Sequence, residues 1–329
     1  MEPEPTANSL SATAASISVV VPVYRSEASL RPLVERLLAV LQARPARFEI
    51  ILVNDGSPDR CWAMIEDLAR ANSHIRGINL MRNFGQQNTL LCGIRAARHD
   101  VIVTLDADLQ HPPEEIPGLL AKLAEGYDIV YGVPAEVKHS FFRRMSSRLM
   151  RFVVLHALGV ANASQIGALR AFRTQLRDAF AAFQGPFVSI DVLLSWGTMR
   201  FTSIPVRHDE RTHGRSSYSL SKLLTLCFDV ITGFSTLPLR LASWIGFFFT
   251  LFGIGILVYV VGLYLIMGYS VPGFPFLASI IAIFAGAQLF ALGIIGEYLA
   301  RMHFRLMEKP TYVVRAETPS REQSSQDDE

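Results

Sequence analysis

The chain is predicted to be an α/β protein: a parallel sheet with helices on both faces, followed by two membrane-spanning helices. Three observations lead there. Apolar β-branched runs alternate with amphipathic helical patterns from residue 17 to about 131. One such run, Val101-Ile102-Val103-Thr104-Leu105, ends abruptly in Asp106-Ala107-Asp108. Near the carboxyl end, 241–296 contains no Asp, Glu, Lys, Arg or His, a charge-free stretch of 56 residues.

Residues 1–16 are polar, acidic and rich in Ala and Ser, without the apolar stretch of a signal peptide, and are expected to be a disordered tail. Strands are expected at 17–23, 48–53, 75–80, 101–105 and 128–131, and helices at 29–42, 60–71, 87–98 and 113–125. In open parallel sheets, ligands bind beyond the carboxyl ends of the strands. Three strands here end in polar signatures on that edge: Pro22-Val23-Tyr24, Asn54-Asp55-Gly56-Ser57 and Asp106-Ala107-Asp108. Neither GxGxxG nor GxxxxGK[ST] occurs, so no dinucleotide fingerprint or P-loop is present.

Asp106 and Asp108 form the sharpest motif. Mg²⁺ and Mn²⁺ take oxygen ligands, commonly one or two carboxylates completed by substrate phosphates and water. The bland alternative is a turn whose Asp side chains bond their own backbone. The company of two other polar strand endings favours the cation site. His111, His208 and His213 lie near motifs without metal-ligand spacing and are read as surface or structural residues.

Half of the residues are hydrophobic, 18% are charged, and the mean hydropathy is +0.29, too apolar for an ordinary soluble protein. A spanning helix needs about 20 apolar residues, so the charge-free stretch holds two, near 241–268 and 276–299. Two prolines and a glycine in Tyr269-Ser270-Val271-Pro272-Gly273-Phe274-Pro275 break them apart. Lys222 and Arg240 precede the first span, and Arg301, Arg305, Lys309 and Arg315 follow the second, while the loop between has no basic residue. The positive-inside rule therefore places both chain ends and the large N-terminal part in the cytoplasm. Two further stretches, 141–155 and 218–234, read alone as interfacial amphipathic or core-facing helices, and their position close to the expected membrane spans favours the interfacial reading. The net charge of +2 offers no basic face for nucleic acid. The three cysteines have no CxxC or metal spacing and fit buried thiols in a reducing compartment.

Taken together, Val21-Pro22-Val23-Tyr24, Val53-Asn54-Asp55-Gly56-Ser57, Arg82-Asn83-Phe84-Gly85-Gln86, Leu105-Asp106-Ala107-Asp108-Leu109-Gln110 with Pro112-Pro113-Glu114, Leu169-Arg170-Ala171-Phe172-Arg173 and Glu210-Arg211-x-x-Gly214-x-Ser216-x-Tyr218 resemble one family. It is the family 2 inverting glycosyltransferases that act on polyprenyl phosphates, nearest its 4-deoxy-4-formamido-L-arabinose and bactoprenol glucosyl branches. The resemblance covers about 17–312, both spans included.

The resemblance implies a Rossmann-like GT-A domain at 17–215, a juxtamembrane amphipathic helix at 216–240, two transmembrane helices at 241–299 and a cytosolic tail at 300–329. It implies metal-dependent transfer of a sugar from a nucleotide-sugar, UDP-linked by expectation, to undecaprenyl phosphate in the bacterial inner membrane. The product would serve cell-envelope glycan or lipid A modification. Pro22, Tyr24, Glu27 and Asp55 match the nucleoside pocket. Asp106, Asp108 and Gln110 match the site of Mg²⁺ or Mn²⁺ and the diphosphate. Arg211 matches a catalytic arginine near the phosphates, and Arg215, Ser216 and Tyr218 fall where the acceptor phosphate would bind. Assembly into a homo-oligomer is a further expectation.

Four departures stand out. Tyr24 is followed by Arg25-Ser26, with Glu27 one position later than the acidic residue of relatives. Ser217 and Pro134 replace a Lys and an Arg, and Gln165-Ile166-Gly167-Ala168 differs from the arabinose-type segment. Two other readings remain. One is a processive polysaccharide synthase, which lacks support because no Gln-x-x-Arg-Trp occurs. The other is a catalytically impaired scaffold or lipid-flipping partner.

Overall fold

The computed structural model describes residues 15–134, 167–185, 188–209, 237–267 and 273–319. They fall into two compact units, one holding the sheet and residues 310–319, the other holding the two long apolar helices.

In the first unit the order is β1 (Ile17–Val23), α1 (Glu27–Gln42), β2 (Phe48–Asn54), α2 (Cys61–Ala71), β3 (Ile75–Leu80), α3 (Gln86–Ala96), β4 (Val101–Thr104) and α4 (Ile116–Ala124), the last entered through a 3₁₀ turn at Pro113–Glu115. Then come β5 (Ile129–Pro134), β6 (Arg170–Arg173), a 3₁₀ segment at Thr174–Phe180, α5 (Ile190–Gly197), β7 (Phe201–Val206) and finally β8 (Val314–Glu317). These form one eight-stranded sheet in the order β7-β5-β6-β4-β1-β2-β3-β8.

The first four strands follow the expected parallel pattern, β1 pairing in parallel with both β2 and β4, and β2 with β3. Strands β1 and β2 are apolar along nearly their whole length because both faces are covered. Val19 and Val21 join the cluster beneath α1, α2 and α4, whereas Val20 points into the opposite cluster beneath α3 and α5.

The sheet is mixed rather than wholly parallel. Strand β6 runs antiparallel between β4 and β5, and β8 runs antiparallel to β3 at the far edge. The sequence Arg170-Ala171-Phe172-Arg173 has too few residues and too much charge to look like a central strand. It is one because Phe172 and Ala171 each enter one of the two cores. The stretch expected to be a tail, 300–329, contains β8.

The second unit consists of α6 (Leu237–Met267) and α7 (Phe274–Leu306). With 31 and 33 residues, each exceeds the ~30 Å apolar thickness of a bilayer. The apolar windows 238–256 and 283–303 are 6% and 0% buried. A soluble core helix would bury its apolar surface, whereas these leave theirs exposed and are long and apolar enough to cross a membrane. Phe249 and Phe284 meet between them, ring centres 5.7 Å apart.

Candidate active site

The site lies where the central strands end. After β2 the chain enters Asp55, which is 3% exposed. Its carboxylate accepts hydrogen bonds from the backbone N–H groups of Phe84 at 2.7 Å and Gly85 at 3.0 Å. One carboxylate thus holds the loop between β3 and α3. Burial pushes the Asp55 carboxyl above its ordinary value, and the bonds from Phe84, Thr89 and Gly85 only partly offset that cost. Gly56 (φ +58°) is required beside it, since a Cβ there would come within 2.5 Å of the Arg82 carbonyl carbon.

After β4 the chain turns at Asp106-Ala107-Asp108-Leu109-Gln110. Gln86, the first residue of α3, donates from Nε2 to Asp106 Oδ1 at 2.6 Å. The Gln110 N–H donates to Asp108 Oδ1 at 3.1 Å, the Asx-turn arrangement foreseen as the bland alternative. Leu109 adopts a left-handed φ of +61°, and Arg25, just past β1, one of +52°. Non-glycine residues rarely accept such angles, and they are retained where surrounding structure enforces them. Arg36 on α1 holds the turn from outside through a two-pronged bond to Glu114 at 3.0 and 2.7 Å, which lowers the Glu114 carboxyl. The Asp209 N–H, after β7, donates to the Gln110 carbonyl at 2.9 Å.

Between these two turns lies a cavity of about 260 Å³. Pro22 and Tyr24 wall it on one side, Asp55, Asn83 and Gln86 on another, and Asp106 and Asp108 on the third. Of the residues expected to bind the nucleotide-sugar, Pro22, Tyr24, Asp55 and Asp106 come together here. Glu27 is engaged elsewhere, with the Arg60 side chain at 3.5 Å and the Arg60 N–H at 3.3 Å, so it supports the start of α2. Gln110 sits behind the turn rather than in the cavity wall. Arg211, Arg215, Ser216 and Tyr218 lie outside the described residues.

Among the residues with no role assigned from sequence that join this site are Asn83, Gln86 and Thr89. The signal was available, since the first two stand in the Arg82–Gln86 motif. A further feature lies on the same rim. Arg170, 3% exposed, forms an ion pair with Asp191 in the first turn of α5, beside the Tyr131 hydroxyl, which burial first and the Asp191 charge second raise above its usual range. In the sequence, Arg170 stands in the Leu169–Arg173 motif, but nothing local shows that it is buried.

Among the described residues no three His, Cys, Asp or Glu side chains converge as a ready-made metal cluster. The donors present do fit a hard cation of another kind. Two carboxylates on one rigid turn, facing a cavity, leave positions for water and a diphosphate. His111 is 7% exposed, edge-on to His208 with ring centres 5.0 Å apart. Burial, with the neighbouring His208, lowers its basicity, consistent with a structural role.

A larger cleft, about 920 Å³, occupies the opposite rim near Glu49, Arg76 and Glu317. Its size does not make it the reaction centre. It lies at the amino ends of the strands, and its buried charges already neutralise each other, Glu49 against Arg76 at 2.8 Å.

The family model for "Glycosyl transferase family 2" matches residues 18–182. An undecaprenyl-phosphate 4-deoxy-4-formamido-L-arabinose transferase from Pseudomonas aeruginosa (strain LESB58) is 40% identical over 92% of this chain and 91% of its own. One of the same name from Shewanella sediminis (strain HAW-EB3) is 39% identical over 91% of each. Among solved structures, glucosyl-3-phosphoglycerate synthase from Mycobacterium tuberculosis, in complex with Mn²⁺, UDP and phosphoglyceric acid, is similar at 18% identity and a TM-score of 0.48, over 66% of this chain and 76% of that one. With a matched family model, a GT-A sheet and near full-length relatives, the chain belongs to glycosyl transferase family 2 and is a glycosyltransferase.

Proposed function

We propose that this enzyme transfers a sugar, with inversion, from a UDP-linked donor to undecaprenyl phosphate at the cytoplasmic face of the bacterial inner membrane. One juxtaposition carries the reading. Asp55 and the Asp106/Asp108 pair flank a single cavity at the carboxyl edge of the sheet, in a chain that also has two helices long and apolar enough to cross a membrane. The similarity to the undecaprenyl-phosphate transferases supports the acceptor.

The chemistry follows from the groups present. A phosphate monoester has a second pKa of about 6 and is mostly a dianion at pH 7. It is therefore a competent nucleophile without a strong general base from the protein. Its oxygen forms a bond to the anomeric carbon while the carbon–oxygen bond to the diphosphate breaks, the electron pair leaving with the nucleoside diphosphate. Attack from the opposite face inverts the centre. Asp106 and Asp108 would hold Mg²⁺ or Mn²⁺, with Gln110 ordering the turn. When bound, the cation neutralises charge on the leaving diphosphate. Asp55 fixes the wall on which the nucleoside rests. Arg211 would bind a phosphate by charge-assisted hydrogen bonds, with Arg215, Ser216 and Tyr218 beside the acceptor.

The test offers membranes containing the enzyme a panel of sugar nucleotides with undecaprenyl phosphate, and identifies the lipid product by mass spectrometry. A single polyprenyl monophosphate sugar, abolished by chelation and restored by added Mg²⁺ or Mn²⁺, is expected. Undiminished turnover after complete removal of divalent ions would overturn the metal role, and no lipid-linked product from any donor would overturn the acceptor.

A further inference from the structure

Strand β8 lies more than 200 residues from the β3–α3 loop in sequence, yet it is bonded to it. The N–H of Met81 donates to the Val313 carbonyl at 2.9 Å, and Arg315 Nη2 donates to the Met81 carbonyl at 3.2 Å. Lower on the same edge, the Thr318 N–H donates to the Gly77 carbonyl at 2.9 Å, and the Gly77 N–H donates to Thr318 Oγ1 at 2.8 Å. Gly77 leaves room for this, because a Cβ there would meet Thr318 Cγ2 at 2.9 Å and Ile65 Cγ2 at 2.4 Å. The ladder shifts register between Asn79 and Leu80, just where β3 gives way to the loop. Tyr312 packs on the second core cluster, with the Arg95 guanidinium of α3 5.8 Å from its ring.

The loop that begins at Met81 is therefore gripped from two sides. Asp55 binds Phe84 and Gly85 from the cavity side, and β8 binds Met81 from the sheet edge. Between the two grips lie Arg82 and Asn83. Asn83, Gly85 and Gln86 line the cavity. An edge strand with open N–H and C=O groups pairs with whatever chain is offered. Here the partner is the chain seven residues beyond α7.

We propose that Arg315 and Thr318 are positioning residues for donor binding: through β8 they hold the 81–86 loop in the shape that receives the nucleoside diphosphate. This rests on the proposed function, in which the cavity takes a UDP-linked donor. Neither residue is in the cavity wall, so their effect is on binding rather than on bond breaking.

The experiment uses the full chain in detergent, with UDP and Mg²⁺ as the probe. In the double variant R315A/T318V, amide exchange at Met81, Phe84 and Gly85 should accelerate about tenfold. The Kd for UDP and the KM for donor should rise about 3- to 10-fold, as loss of two hydrogen bonds implies. The kcat should stay within about twofold, since contacts made equally before and during bond breaking leave it unchanged. T318S, which keeps the hydroxyl, should restore the loop amides and the affinity when paired with native Arg315. Unchanged exchange in the loop, or faster exchange with unchanged UDP affinity, overturns the proposal. If the wild-type enzyme itself does not bind UDP, the donor assignment fails, and the exchange measurement alone decides whether β8 holds the loop.

Discussion

Glu49, at the start of strand β2, and Asp55, just past its end, are both buried, and the fold shifts them in opposite directions. Glu49 accepts from Arg76 at 2.8 Å, from Ser18 Oγ at 2.7 Å and from the Arg98 N–H at 2.8 Å. Burial alone would raise its carboxyl, but these partners together outweigh that and hold it below the ordinary value. Asp55 is bonded to backbone N–H groups instead of a guanidinium, so burial dominates and its carboxyl is raised. A carboxylate completed by a buried cation is part of the scaffold, whereas one left electrostatically costly at the rim of a cavity is a candidate for binding. One rim stabilises the sheet, and the other is the one at which the chemistry is proposed.

Substitutions can break this contrast. The largest effect belongs to Asp108→Asn at the reactive rim. Transfer should fall about 10³-fold or more, because a cation ligand is lost. The melting temperature and extraction from membranes should stay as in the wild type. Near-normal turnover with metal present would remove Asp108 from the mechanism. Next is Asp55→Ala, which leaves the Phe84 and Gly85 N–H groups without their acceptor. Donor affinity should fall about 10- to 100-fold, measured by titration calorimetry, with a smaller change in kcat.

At the opposite rim the sign of the effect changes from activity to stability. Arg76→Ala leaves Glu49 buried and unpaired and should cost about 3 kcal/mol, read by chemical denaturation of the solubilised protein, while kcat/KM of the folded fraction is retained. The pH dependence follows from the same shift. Because the folded Glu49 carboxyl is depressed, its stabilisation is full above the unfolded value near 4.5 and is lost as pH falls through the lower folded value. Glu49→Gln should therefore flatten the acid limb of stability below about pH 4.5. The smallest effect is Gln86→Ala, which removes one bond to Asp106 and should reduce kcat/KM about 3- to 10-fold. A loss as large as that of Asp108→Asn would show that Gln86 touches the substrate itself.

The legible parts of this protein were those whose signal is local. Strands β1 to β4 and their helices stand out because a strand buried on both faces is mostly apolar, and polar residues follow where it ends. The two long apolar helices stand out because they fall in 56 residues without a charge, the pattern that a bilayer interior demands. The Asp-Ala-Asp turn was readable because it interrupts such a strand. Strands β6 and β8 were not readable. Arg-Ala-Phe-Arg and Val-Arg-Ala-Glu are short and charged, and become strands only because an existing sheet edge pairs with them.

Sequence alone settled the alternation of strands and helices up to β5, the two long apolar helices and the carboxylate motifs, since these depend on the period and polarity of neighbouring residues. Tertiary structure alone decided that Asp55 binds Phe84 and Gly85, that Arg170 is buried against Asp191, that Glu27 turns to Arg60, and that β8 closes on β3. Each joins residues that are far apart along the chain, and such pairings are selected by the packing of whole elements rather than by any local pattern.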